Sequence, residues 1–248
     1  MENQVRKPAR ILGNKMFCRI AQLTVSLPIA GVYTSRYRDY LIEPVDKPQI
    51  TISSELFRYD YYGDNISPDV IKYRECGRLF STALFDYHGF IIHASAVMYK
   101  GYAYLFSGSS GIGKSTHAKL WIRMLGEENC VIINDDKPAI RKIGNLWYTF
   151  GTPWSGKDAI QCNTEAKLAG ICFLKQSNRN KIRRIQGTEA CFMVLNHSQH
   201  RFRDFDKSAK KLDLVDEIIR DIPLYELENL PELDAAKLSF DTMTSNIM

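Results

Sequence analysis

The chain has 248 residues, 45% of them hydrophobic and 25% charged, with a formal net charge of +5. That is the make-up of a soluble globular protein of one large domain or two small ones. The charge is small and scattered, and no apolar run reaches the length of a membrane span, so neither nucleic acid nor membrane is an expected partner. The densest basic stretches, Lys181-Ile182-Arg183-Arg184, Arg201-Phe202-Arg203 and Lys207-Ser208-Ala209-Lys210-Lys211, read as solvated faces. Six cysteines (Cys18, Cys76, Cys130, Cys162, Cys172, Cys191) form no C-x-x-C pair and read as reduced core residues. The basic, polar start lacks the pattern of a signal peptide, so the expected location is cytoplasmic.

Residues 1–10 read as disordered. Leu23, Val25 and Leu27 then alternate with polar residues, as in a half-buried strand ended by Pro28. Residues 34–48 read as a loop, Ile50 and Ile52 as a second strand, and Val70-Ile71-Lys72-Tyr73 as a short third. From Arg74 to Tyr87, Leu79, Phe80, Ala83 and Leu84 recur at helical spacing. This part, residues 1–88, is expected to be β-rich and offers no catalytic pattern.

From residue 89 the chain is richer in signals. Phe90 to Tyr99 is strongly β-forming, and the turn Lys100-Gly101 joins it to Tyr102–Ser107, which predicts an antiparallel hairpin. The second arm runs into Gly108-Ser109-Ser110-Gly111-Ile112-Gly113-Lys114-Ser115, which fits G-x-x-x-x-G-K-[ST], the phosphate-cradling P-loop. Its glycines let backbone N–H groups turn inward around phosphate oxygens, Lys114 reaches the outer phosphates, and the Ser115 hydroxyl sits on Mg2+. With Thr116 these residues form the expected nucleotide cradle. A helix follows, carrying Ala118, Trp121, Ile122 and Leu125 and stopped by Gly126, with His117 expected on its exposed side.

Val131-Ile132-Ile133 leads to Asn134-Asp135-Asp136, which places two carboxylates at a strand tip. One could hold Mg2+ and the other could take a proton from an attacking hydroxyl. His93 lies on the strand paired with the one entering the P-loop, so it could stand beside the phosphates. His197 and His200 have no evident metal partner. Gly151-Thr152-Pro153-Trp154-Ser155-Gly156-Lys157 reads as a structured loop in which Lys157 could meet phosphate or substrate, and Trp154 could be a lid or a packing anchor. Gly144-Asn145 marks a second hairpin, and Ser177-Asn178-Arg179-Asn180 a third, joining Leu168–Gln176 to Lys181–Ile185. Helices are expected over 188–196 and 208–220 and from about Glu232, with a strand at Leu224–Leu227. The fold class is therefore α/β, with a mixed, hairpin-rich sheet, a P-loop and flanking helices.

His93-Ala94-Ser95-Ala96-Val97, the Lys100-Gly101 turn, the P-loop and the Asp135-Asp136 pair, in this order and spacing, resemble the C-terminal catalytic domain of the HPr serine kinase/phosphorylase family. That family is related in fold to ATP-dependent phosphoenolpyruvate carboxykinase. The resemblance spans roughly residues 89–160 and more loosely the tail to 240, which marks 89–248 as the catalytic domain. It implies an active site of His93, Lys114, Ser115, Asp135 and Asp136 using ATP and Mg2+. In it one aspartate is base toward a substrate serine and the other helps Ser115 hold the metal. Thr116 stands where the bifunctional enzymes usually carry Glu, their phosphorylase signature is not found, and the N-terminal third does not look like theirs. The chain is more similar to shorter HPr-kinase-like proteins associated with bacterial peptide-modification systems. This implies a serine kinase acting on a peptide or small protein, with a homo-oligomer left open. A small-molecule kinase using the same site and a non-catalytic nucleotide-sensing module remain as alternatives.

Overall fold

The computed structural model describes residues 13–199 and 205–245. The stretch read as disordered, the basic triplet at 201–203 and His200 lie outside them. The described residues divide into two units, one up to Phe80 and one from Ser81.

In the first unit, β1 (Lys15–Ile20) and β2 (Leu23–Pro28) form an antiparallel hairpin, and β3 (Ile50–Thr51) runs parallel to β2. The loop expected over residues 34–48 is instead entered through a 3-10 helix, Gly31–Tyr40, which buries Tyr37 and Tyr40. The short strand expected at Val70–Tyr73 is part of the helix α1 (Pro68–Ala83). Proline suits the first turn of a helix, where its missing N–H has no partner to lose, and Asp69 favours the positive end of the helix dipole. These start signals outweigh two β-branched residues. Glu75, fully buried on α1, accepts hydrogen bonds from Arg78, Tyr62 and the Arg58 amide. A buried carboxylate so enclosed ties the Arg58–Tyr62 segment to the helix.

The second unit is built on one mixed sheet. Its strands are β4 (Gly89–Ile91), β5 (Ala94–Tyr99), β6 (Tyr102–Ser107), β7 (Cys130–Asn134), β8 (Ala139–Ile143), β9 (Leu146–Phe150), β10 (Glu165–Gln176), β11 (Lys181–Ile185) and β12 (Leu224–Asn229). The main order is β4-β8-β9-β10-β6-β5-β7. β4 runs on into β5 and β7 into β8, and Ile91↔Ala139 and Ala96↔Asn134 belong to the same antiparallel register. The sheet therefore curls until the β4–β5 strand pairs with both β6 and the β7–β8 strand. The hairpins at Lys100-Gly101 and Gly144-Asn145 form as expected.

The third hairpin does not form. β10 and β11 occupy the expected positions, but β12 lies between them, parallel to β10 and antiparallel to β11. Side-chain alternation suits either partner, so the turn signal alone decided for the nearer one. β10 is long enough to take β6 along one edge, and β9 followed by β12 along the other.

Helices cover both faces of this sheet. α2 (Lys114–Leu125) and α5 (Leu233–Thr244) pack on the face of Val97, Tyr104, Phe106 and Cys172, with Trp121 at the centre. α3 (Gly187–His197) and α4 (Phe205–Asp221) contribute Ala190, Val194, Val215 and Ile218 to the core on the other face, with Ile92, Ala96, Leu105 and Phe173. Among the described residues, no helix is long and apolar enough to cross a membrane.

Candidate functional site

The site follows from strand direction. β6 and β7 both run antiparallel to β5, so their carboxyl ends lie together at its start. β6 ends in the P-loop, β7 ends in Asn134-Asp135-Asp136, and β5 begins just after His93. One end of the sheet thus receives all three segments. The Ser107 hydroxyl fastens the last residue of β6 to the His93 carbonyl at 2.9 Å.

The P-loop turns through left-handed backbone at Gly108 (φ 149°) and Gly113 (φ 107°), conformations that a side chain would strain. Gly113 is the N-cap of α2. The opening turn of a helix has amides with no carbonyl one turn behind them, and its dipole favours an anion there. Ser109, Ser110, Gly111 and Thr116 are exposed, Ile112 is half-buried and Gly108 is buried. Lys114 is 7% exposed, and its Nζ donates to the carbonyls of Gly108 (3.2 Å) and Ser109 (3.0 Å). Burial lowers its pKa, and the charge of Asp136 pulls it back up. The Lys114 ammonium therefore stands over the loop, within the field of Asp136.

The two aspartates differ. Asp136 Oδ1 is 3.1 Å from His93 Nε2, and its Oδ2 is 2.5 Å from Lys137 Nζ. Burial works against its ionisation, but the bonds from His93 and Lys137 outweigh that and hold its pKa at about 2. Asp135, 6% exposed, accepts the Gly156 amide on Oδ1 at 2.7 Å, and its Oδ2 has no bond among the described residues. Burial raises its pKa, the Gly156 bond opposes this, and the neighbouring Asp136 adds to it. The adjacent carboxylates are thus pushed apart by their surroundings.

Several residues not singled out in the sequence complete the arrangement. Asn134, fully buried, accepts the amides of Asp136 and Lys137 on Oδ1 and donates from Nδ2 to the carbonyls of Thr152 and Trp154. It closes an Asx turn under the aspartates and pins the 151–157 loop beside them. Ser95 Oγ lies 3.3 Å from Ser115 Oγ and donates to the Asp135 carbonyl at 3.2 Å, joining P-loop and strand tip. An Asn before two aspartates was a visible turn signal, whereas Ser95 carries no signal without the hairpin register.

Trp154 is buried, while Lys157 is exposed. His197 lies close enough to His93 and Lys114 for their charges, added to burial, to lower its pKa. His117 is not exposed as expected. It is 1% exposed under α5, with Nε2 2.9 Å from Ser239 Oγ, and burial lowers its pKa to about 4.

The donor set fits a magnesium nucleotide. The P-loop offers amides and a lysine to phosphate. Ser115 and an aspartate offer the few protein oxygens that Mg2+ takes when substrate phosphates and water supply the rest. Among the described residues, no three acidic, histidine or cysteine side chains form an all-protein metal cage.

Comparison with known proteins finds a family model and similar solved structures. The model of the family described as SynChlorMet cassette protein ScmC matches residues 73–229. A solved structure of the Hpr(Ser) kinase/phosphatase from Coxiella burnetii is similar at 12% identity and a TM-score of 0.37, covering 63% of this chain and 89% of that one. No curated protein matches the chain. The family model spans well over half of the 248 residues, so the chain belongs to the SynChlorMet cassette protein ScmC family.

Proposed function

We propose that this protein is an ATP- and Mg2+-dependent phosphotransferase that phosphorylates a hydroxyl, most simply a serine, of a peptide or small protein. The observation that carries the reading is the meeting of P-loop, aspartate pair and His93 at one end of the sheet. There Ser95 bridges Ser115 and Asp135, and Asp136 is held by His93. A phosphate cradle alone binds nucleotide, and a cradle with a buried carboxylate beside it can also handle the proton of an acceptor.

When bound, Mg·ATP supplies the phosphoryl group and part of the charge neutralisation that such transfers need. The P-loop amides and Lys114 hold the phosphates and oppose the negative charge that builds between them. Asp136 and the Ser115 hydroxyl are the oxygens that would hold Mg2+. Asp136, ionised at all working pH values, suits a cation better than a proton. Asp135, with Oδ2 open, aligns the acceptor hydroxyl and takes its proton as the oxygen–phosphorus bond forms and the bond to the leaving diphosphate breaks. His93 is a positioning residue, fixing the Asp136 carboxylate.

The test is purified protein with Mg2+, ATP and Ser-containing peptides encoded near its gene, followed by mass spectrometry, with Lys114→Ala as control. A phosphate mass added by the wild type and absent with Lys114→Ala is the expected result. Tight ATP binding without consumption, across peptides and metabolites, would overturn the kinase reading in favour of a nucleotide sensor. Phosphate appearing on a metabolite with no peptide present would overturn the peptide acceptor alone.

A further inference from the structure

α3 ends at His197, and the segment His197–Gln199 joins the strand that leads to His93. Ile92 and Ser198 form an antiparallel bridge. The His93 amide donates to the His197 carbonyl at 2.8 Å, and the Gln199 amide donates to the Ile91 carbonyl at 2.8 Å. The His93 backbone is therefore held twice, by the His197 carbonyl at its N–H and by the Ser107 hydroxyl at its C=O. His93 and His197 stand far apart in the chain, and main-chain bonds make them neighbours.

The His197 ring is placed by a second contact. It packs on the ring of Phe173, with centroids 5.5 Å apart and planes at 31°. Phe173 is fully buried on β10, where it pairs with Ser107, the last residue of β6 before the P-loop. The ring is thus held near the level at which β6 passes into Gly108. It is half-buried, and its nitrogens make no hydrogen bond or ion pair among the described residues. Burial lowers its pKa, and the charges of His93 and Lys114 lower it further. The ring therefore lies in the field of two groups that are cationic or can become so.

A neutral imidazole has one N–H to give, and here it shares its surroundings with an ammonium and a second histidine. Such a cluster suits an anion with several acceptor oxygens. Its neighbours narrow the anion to one phosphate. Lys114 is the P-loop lysine, which reaches the outer phosphates of a nucleotide. His93 is bonded to Asp136, on the side expected to take the metal. A side chain near both belongs to the outer end of a triphosphate, away from ribose and base. We propose that the His197 ring N–H donates to the terminal phosphate of the nucleotide, the group that is transferred. The proposal rests on the reading of the P-loop as a nucleotide site and gives that site a residue from α3. During transfer the terminal phosphoryl group exchanges its bond to the leaving diphosphate for one to the acceptor oxygen, and its three other oxygens carry charge throughout. His197 keeps its proton and offsets part of that charge.

The test is calorimetric titration of the full chain, with Mg2+ and no acceptor, using ADP and the non-hydrolysable β,γ-imido analogue of ATP. His197→Ala is expected to weaken the analogue about tenfold or more and to leave ADP within about twofold, the signature of a lost hydrogen bond to the terminal phosphate alone. His197→Gln, which keeps an N–H donor, should recover part of the loss. A variant that binds ADP as the wild type does is folded, so the pair of ligands separates a phosphate contact from a structural role. Equal loss for both ligands, or loss for neither, would overturn the proposal and leave the P-loop reading standing. If both variants fold poorly, the wild-type chain decides. Its His197 ring nitrogens, followed by nitrogen-15 NMR, should shift with the analogue and not with ADP, and the same response to both would overturn the contact. Failure of the wild type to bind either nucleotide would overturn the P-loop reading as well.

Discussion

Two neighbouring carboxylates with opposite surroundings are the smallest unit of this site. Asp136 has both oxygens engaged by cationic or N–H partners, and Asp135 has one on an amide. Asp135→Asn keeps the shape but cannot take a proton, so it should lower the rate of transfer by about 10²- to 10⁴-fold, the range of general base catalysis, with nucleotide affinity nearly unchanged. Asp136→Asn should weaken Mg·ATP binding as well, because it removes a charge on the metal side. His93→Ala should reproduce a milder form of the Asp136→Asn pattern. Steady-state kinetics with separate titration of Mg·ATP checks all three. Loss of affinity in Asp135→Asn and not in Asp136→Asn would reverse the assignment.

At the scale of elements, the parts with local signals were legible in the sequence. The P-loop, the β5–β6 turn and the β8–β9 turn are each written within a few residues, and each forms where expected. The partner of β11 was not legible, because β12 reaches β10 through a long crossover and no local pattern records it. His117 failed for a similar reason. Its place on α2 is local, but the helix that covers it, α5, begins more than a hundred residues later. Of the candidate site, the P-loop and acidic residues were legible by type and order. Ser95 and Gly156 were not, because their roles exist only after the strand ends have met.

The burial of His117 has a measurable consequence. Burial depresses its pKa from 6.5 to about 4, so the folded state binds fewer protons than the unfolded state between those values. The stability present above pH 6.5 is therefore lost progressively as pH falls toward 4, by on the order of 3 kcal/mol. Urea unfolding at pH 7 and pH 4.5 should show this loss in the wild type and a flatter dependence in His117→Gln, whatever that variant costs at neutral pH. Equal pH dependence in the two proteins would show that His117 is not buried in the neutral form. The 151–157 loop makes a second case. A Cβ at Gly156 would lie 2.9 Å from Asp135 Oδ2. Gly156→Ala should thus displace the proposed base and lower turnover while sparing ATP affinity, read by kinetics beside calorimetry.

For the whole molecule, the proposed nucleotide site, made from several strand ends, would link binding to stability. β5, β6, β7 and α2 each supply part of it, and no one of them holds phosphate, acidic pair and positioning histidine together. A ligand that binds only the folded arrangement stabilises it by RT ln(1 + [L]/Kd), about 2.7 kcal/mol at a hundredfold excess over Kd. Mg·ATP should therefore raise the denaturant midpoint of the chain, and hydrogen exchange should slow at the end of β6, through the P-loop and into α2. Lys114→Ala should abolish the gain. It should not lower stability much without ligand, because the lysine it removes is already desolvated at a cost to its charge. A midpoint that rises equally in Lys114→Ala would mean that the nucleotide binds away from the P-loop. A midpoint unmoved in the wild type, at saturating Mg·ATP, would mean that the three strand ends meet for some purpose other than holding a nucleotide.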